Sequence, residues 1–159
     1  MKTRLTVLLL AAAACRTDAS ADRAFAGVQA RGKVAMGVDQ YTSTHRFEPL
    51  PDGGRIVLQR DPDDTAGVAV IRAHMRHIAG AFASGDFRLP GFVHDRPVPG
   101  TPEMTALRDR IAYTADTLPG GGEVRIRTGD SAAVRAIHEF LAFQRHDHRA
   151  GGDEPGGGH

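Results

Sequence analysis

One stretch, used twice, constrains the fold of this chain more than any other. Leu50-Pro51-Asp52-Gly53-Gly54 leads into the alternating run Arg55-Ile56-Val57-Leu58-Gln59, then Asp61-Pro62-Asp63-Asp64, then a helical pattern carrying Ile71, His74, Met75, His77, Ile78 and Phe82. Sixty-eight residues on, Leu118-Pro119-Gly120-Gly121-Gly122 leads into Glu123-Val124-Arg125-Ile126-Arg127, then Gly129-Asp130 and a helix carrying Ile137, His138 and Leu141. Glycine pairs between alternating runs predict hairpin turns with positive φ at Gly53-Gly54 and Gly120-Gly121-Gly122. Thr42 to Glu48 is the outgoing arm of the first hairpin, and Ile111 to Thr117 that of the second.

The helices have their own punctuation. Asp63, Asp64 and Thr65 start the first, and Ser84-Gly85-Asp86 ends it. At 100° per residue, Met75, Ile78 and Phe82 all fall within about 40° of Ile71. His74 lies at the border of that apolar face, with His77 further round. Asp130 or Ser131 caps the last helix, on which Val134, Ile137, Leu141 and Gln144 share a face and His148 returns to it. Between the two units, Phe87 to Thr101 reads as a crossover loop in which Phe92-Val93-His94-Asp95 is a short extended piece. Thr101, as cap, and Pro102 open a short helix to about Asp109.

These elements predict an α+β fold: two ββα units forming a four-stranded antiparallel sheet, with both main helices on one face. The internal repeat implies a pseudo-two-fold. The opposite sheet face, bearing Arg55, Gln59, Arg125 and Arg127, is wetter or meets a partner.

The N-terminus reads as an export signal, residues 1–21. Met1-Lys2-Thr3-Arg4 is positive and Leu5 to Ala14 apolar, too short to span a bilayer but suited to a signal's apolar region. Two processing sites compete: a lipobox at Ala12-Ala13-Ala14-Cys15, and secretory cleavage after Ala21 in Ala19-Ser20-Ala21. Both place the protein outside the cytoplasm, periplasmic or lipid-anchored, with membrane attachment only through a lipid on Cys15. Residues 22–32 read as a tether, 33–149 as one domain (Lys33 to Val38 a short strand or lead-in), and 150–159 as a disordered tail. Cys15 is the only cysteine, so no intrachain disulfide forms and the mature domain has no thiolate. The 20 basic and 19 acidic residues are interspersed, which argues against nucleic acid as a partner.

Histidine is the one chemical excess, at 8 residues. His74 and His77 stand i, i+3 on a helix, close enough to share one ion, and His45, His94, His138 or His148 completes a site. Without thiolate, a transition metal must use imidazole, carboxylate and thioether. Copper or zinc suits imidazole, Met36, Met75 or Met104 adds a donor for Cu⁺, and haem is a variant of the same reading. Asp39, Asp86, Asp95, Glu139 and Asp147 are candidates to orient the rings. Against this, an i, i+3 pair lacks the glutamate and third ligand of a His-Glu-x-x-His helix, and His146 and His148 at a helix end also favour its dipole. No Gly-x-Ser-x-Gly is present, and the glycine-rich turns join strand to strand, unlike phosphate loops. A hydrolase or lyase using His94 with Asp86 or Asp95 needs a pocket where these converge with a nucleophile.

Several motifs carry a resemblance. They are Met36-Gly37-Val38-Asp39-Gln40, Thr44-His45-Arg46-Phe47, Ile71 to Ala79 with its two histidines, Gly85-Asp86-Phe87, Val93-His94-Asp95, and Ile137-His138-Glu139-Phe140-Leu141-Ala142-Phe143-Gln144 with Asp147-His148. Over Met36 to about Gly151 the chain resembles a group of small exported, histidine-containing bacterial proteins of unsettled function. The resemblance implies interest in His45, His74, His77, His94, His138 and His148 as a set, and implies no activity. The functional expectation is therefore a metal-binding, exported domain for sequestration, sensing or delivery, more a binder than an enzyme. The alternative is a metal-free interaction module that docks a protein partner or a second copy through the exposed sheet face.

Overall fold

In the computed structural model, residues 5–37, 39 and 42–150 are described, with side chains from residue 19 onward. The elements in order are α1 (Leu5–Met36), β1 (Ser43–Leu50), β2 (Gly53–Arg60), α2 (Thr65–Ala83), α3 (Arg88–His94), α4 (Thr101–Ala106), a 3₁₀ turn at Arg108–Arg110, β3 (Ile111–Leu118), β4 (Gly121–Thr128) and α5 (Ser131–Asp147). The four strands form one antiparallel sheet in the order β1-β2-β4-β3, so the α+β class and the ββα order are as the pattern predicts.

Period-two alternation sorts the strand residues between the two sheet faces. Phe47, Ile56, Leu58, Val124 and Ile126 join the core beneath the helices. On the other side Arg46, Glu48, Arg55, Glu123 and Arg125 lie over Val57, which is only 1% exposed. The helix faces match their pattern too. Ile71, Met75, Ile137 and Leu141 are at most 1% exposed, and full burial of each such side chain contributes about 1.5–3 kcal/mol. The Asp64 carboxylate accepts from the Gly67 amide, and that of Asp130 from Ala132 and Ala133, so both helices are capped at the expected aspartates.

Each main helix covers the hairpin of the other unit. α2 packs chiefly on β3 and β4, and α5 on β1 and β2. Polar ties follow the same exchange. Arg72 on α2 donates from Nε to the Gly121 carbonyl at 3.0 Å and from Nη2 to the Leu118 carbonyl at 2.9 Å. His138 on α5 pairs through Nε2 with the Leu50 carbonyl at 2.9 Å.

The hairpin loops are Pro51-Asp52 and Pro119-Gly120, a shift from the expected glycine pairs. Gly53-Gly54 and Gly121-Gly122 belong to the strands. Gly54 is bare because a Cβ there would run into Leu141 and the Glu48 carbonyl, and one on Gly122 would come within 3.3 Å of Met75 Cγ. These glycines let the helices sit close to the sheet.

Three other expectations are corrected. Residues 22–32 are no loose tether, and Lys33 to Gly37 does not begin a strand: the segment is the C-terminal part of α1 and its last turn. Val28, Gly32 and Met36, spaced four apart, are buried along one stripe, and Arg31 Nε donates to the Val93 carbonyl at 2.8 Å. The folded unit therefore begins before Lys33. The crossover is not an extended piece either, since Arg88–His94 forms α3. Gly100, with φ 79°, precedes α4 in the position expected of Thr101. Ala150 packs against the core, while the rest of the expected tail, residues 151–159, lies outside the described residues. Among the described residues no helix is long and apolar enough to cross a membrane.

Candidate functional site

Where α1 and α3 close over the gap between α2, α5 and the first hairpin, a cavity of about 80 Å³ remains. Its walls are mostly apolar: Phe47, Ile56, Leu58, Ile78, Phe82, Val93 and Phe140. Four histidines from four elements line it, His45 on β1, His74 on α2, His94 on α3 and His148 after α5, together with Met36, Met75 and Gln144. No aspartate or glutamate is among its lining residues.

The rings pack on one another. His148 lies near-parallel to His45, with centroids 5.3 Å apart and planes at 13°. It meets His94 edge-on at 5.1 Å. Phe47 backs both His45, at 6.1 Å, and His148, at 5.4 Å. Burial disfavours the charged form of these rings. Burial, then the neighbouring His74, pushes His45 down to about 4. Burial and then His77 take His74 to about 4. Burial, followed by His45 and His94, takes His148 to about 3 against the opposing pull of Asp147. At neutral pH these three rings are uncharged, and each carries one nitrogen lone pair. His148 Nδ1 is buried without a hydrogen-bond partner, whereas His45 and His74 keep part of their surface exposed.

His94 is held differently. Its side chain is fully buried, Nδ1 donates to Asp147 Oδ2 at 2.9 Å, and Nε2 stands 2.9 Å from Gln144 Oε1. In the tautomer that keeps its proton on Nδ1 and donates it to Asp147 in the hydrogen bond, the ring presents a lone pair at Nε2. The Gln144 amide, whose own Nε2 has no partner, can answer that lone pair by turning over. Arg96 Nη2 donates to both oxygens of Asp147 at 2.6 Å. Burial works against the Asp147 carboxylate, but hydrogen bonds from Arg96, His94 and His146 outweigh it and hold its pKa below the usual range. The carboxylate–imidazole pair therefore joins His94 to Asp147, fifty-three residues away, and not to Asp86 or Asp95. No serine or cysteine lines the cavity, so the pair lacks the nucleophile a hydrolase reading needs.

Four of the six candidate histidines thus meet, and two stand apart. The expected sharing of one ion by His74 and His77 is not what the geometry offers. His74 is half-buried at the cavity wall, whereas His77 is exposed and borders a separate shallow depression with Asp86 and Phe92. Three residues advance a helix by about 300°, enough to turn His77 off the wall that His74 reaches. His138 is engaged by the Leu50 carbonyl, away from the cavity. Met104, a further candidate donor, is fully buried elsewhere in the core. Among the described residues, no three His, Cys, Asp or Glu side chains already stand in a metal-holding arrangement. Asp147, among the carboxylates expected to orient the rings, takes that place at His94, whereas pattern reading missed Gln144 as a polar cavity residue. The i, i+3 spacing of Gln144 and Asp147 on α5 was the available signal.

No protein-family model matches the chain, and no match was found among curated proteins or solved structures.

Proposed function

We propose that this protein is an exported or membrane-tethered domain that captures a transition-metal ion in the histidine-lined cavity, for sequestration, sensing or delivery. The observation that carries the reading is the convergence of His45, His74, His94 and His148 on one apolar cavity, with His148 Nδ1 buried there without a hydrogen-bond partner. An unsatisfied buried polar group costs about 1–3 kcal/mol, so His148 in this position is a poor choice for stability alone. It suits a ligand that takes lone pairs. Two imidazoles on one tetrahedral ion, with metal–nitrogen bonds of about 2.0–2.1 Å, place their ring centroids roughly 5 Å apart. The spacings here are 5.3 Å for His45–His148 and 5.1 Å for His94–His148. Capture calls for His45, His74 and His148 to turn about their χ angles towards the ion, with His94 held in place by Asp147.

His94 is oriented for this task as metal-binding histidines commonly are, with the far nitrogen on a carboxylate. The cavity's size favours an ion. Pockets for drug-sized ligands run to about 300–1,000 Å³, so haem would require α1 to lift away. The sheet-face reading is less well supported. Arg55 pairs with Glu48 at 2.6 Å and Glu123 at 3.5 Å, and Arg125 pairs with Asp52, so this face answers its own charges.

The test is metal stoichiometry of the full chain, without a histidine tag and with Cys15→Ser to remove the thiol. One equivalent is expected in this background. It should be lost in His45→Phe/His148→Phe and kept in His77→Ala/His138→Ala. Retention of native affinity by the His45/His148 variant would refute the site.

A further inference from the structure

Resting on that reading, we propose that the ion is copper(I), and that the thioethers of Met36 on α1 and Met75 on α2 join the imidazoles as its ligands. Two observations point to this metal. The first is the donor set. Met36 and Met75 line the same cavity as the four histidines, with 9% and 1% of their surface exposed. Thioether sulfur is a soft donor that selects copper(I), whereas zinc(II) is served by imidazole, carboxylate or thiolate.

The second is charge. The lining residues include no carboxylate and the single cysteine is at position 15, so every donor in the cavity is neutral. The penalty for placing an ion in an apolar, low-dielectric site grows with the square of its charge. A divalent ion therefore meets about four times the desolvation penalty of a monovalent one, with no anionic ligand to offset it. A neutral nitrogen and sulfur shell in an apolar cavity fits copper(I) on both grounds. Because Met36 sits at the end of α1, the metal also ties that helix to α2.

The experiment is an anaerobic titration of the full chain in the Cys15→Ser background, with copper(I) buffered by a chromogenic chelator and with zinc(II) in parallel. Met36→Leu, Met75→Leu and the double variant are compared with the parent. Methionine to leucine conserves volume, and circular dichroism checks that each variant is folded. The parent should bind one copper(I) more tightly than zinc(II). The double variant should lose at least the roughly 100-fold in copper(I) affinity that loss of an outer-sphere partner can already cause. Its zinc(II) affinity should fall by less than its copper(I) affinity, because zinc(II) is served by the imidazoles and has little use for thioether sulfur. X-ray absorption of the copper-loaded parent should show a copper–sulfur path that disappears in the double variant. Unchanged copper(I) affinity in the double variant, or zinc(II) preferred by the parent, would overturn the copper assignment and leave the imidazole site standing. A parent that binds neither metal would overturn both.

Discussion

Acid should unfold the metal-free protein early, and His148 should account for a defined share of that sensitivity. Burial holds His148 near 3, and His45 and His74 near 4. In the unfolded chain all three return to about 6.5. As pH falls below 6.5 the unfolded state takes up protons that the folded state refuses, so stability is complete above that value and drains away towards pH 4. The limiting slope is about 1.4 kcal/mol per pH unit for each ring, or about 4 for three. Integrated from pH 7.5 to 5, each ring accounts for about 2 kcal/mol, and the three for about 6. That is comparable to the whole stability of a domain, about 5–15 kcal/mol. His148→Phe keeps a ring between His45 and Phe47, removes the unpartnered nitrogen and withdraws one titration. At pH 7.5 the variant should be at least as stable as the parent, and over the same pH span it should lose about 2 kcal/mol less. Urea unfolding in the presence of a chelator, at half-unit pH steps, measures both. A parent that loses less than about 2 kcal/mol by pH 5, or a variant with the parent's pH dependence, would refute the claim that these rings are buried neutral.

Other consequences are sharper in single assays. Asp147→Asn should leave His94 less firmly oriented and lower metal affinity about 10–100-fold, read by chelator competition. Gly100→Ala should destabilise by about 2 kcal/mol or more in urea, because the residue adopts φ 79° and a Cβ would meet the Ala136 carbonyl of α5. If Cys15 is lipidated, wild-type protein should sediment with membranes and Cys15→Ser should appear in the soluble exported fraction. Equal solubility of the two would leave cleavage after Ala21 as the processing route.

Much of the architecture was legible because it rests on short-range rules. Alternation placed Ile56, Leu58, Val124 and Ile126 on the buried face, the 100° step placed Ile71, Met75 and Ile78 together, and Asp64 and Asp130 announced their helices. What was lost depended on neighbours distant in sequence. Residues 22–32 have the small, polar composition of a linker, yet Val28, Gly32 and Met36 form a helical stripe that only the docked partner, α3, makes meaningful. Sequence spacing favoured His74 with His77, while the contacts that matter join β1 to the end of α5 and α3 to Asp147. Periodicity can state which side of a helix a histidine occupies. It cannot state what faces it, and strand order decided that here.

The exchange of helices between hairpins bears on how the chain comes to hold its site. A fragment ending after α2 has a hairpin with no lid and a helix with no floor, and the complementary fragment has the reverse. Neither half owns the cavity: His45 and His74 come from one, His148 and Gln144 from the other, and α3 between them brings His94. Two separately made pieces would have to find each other before either could bind an ion. An occupied cavity is therefore a signature that the whole chain has closed on itself.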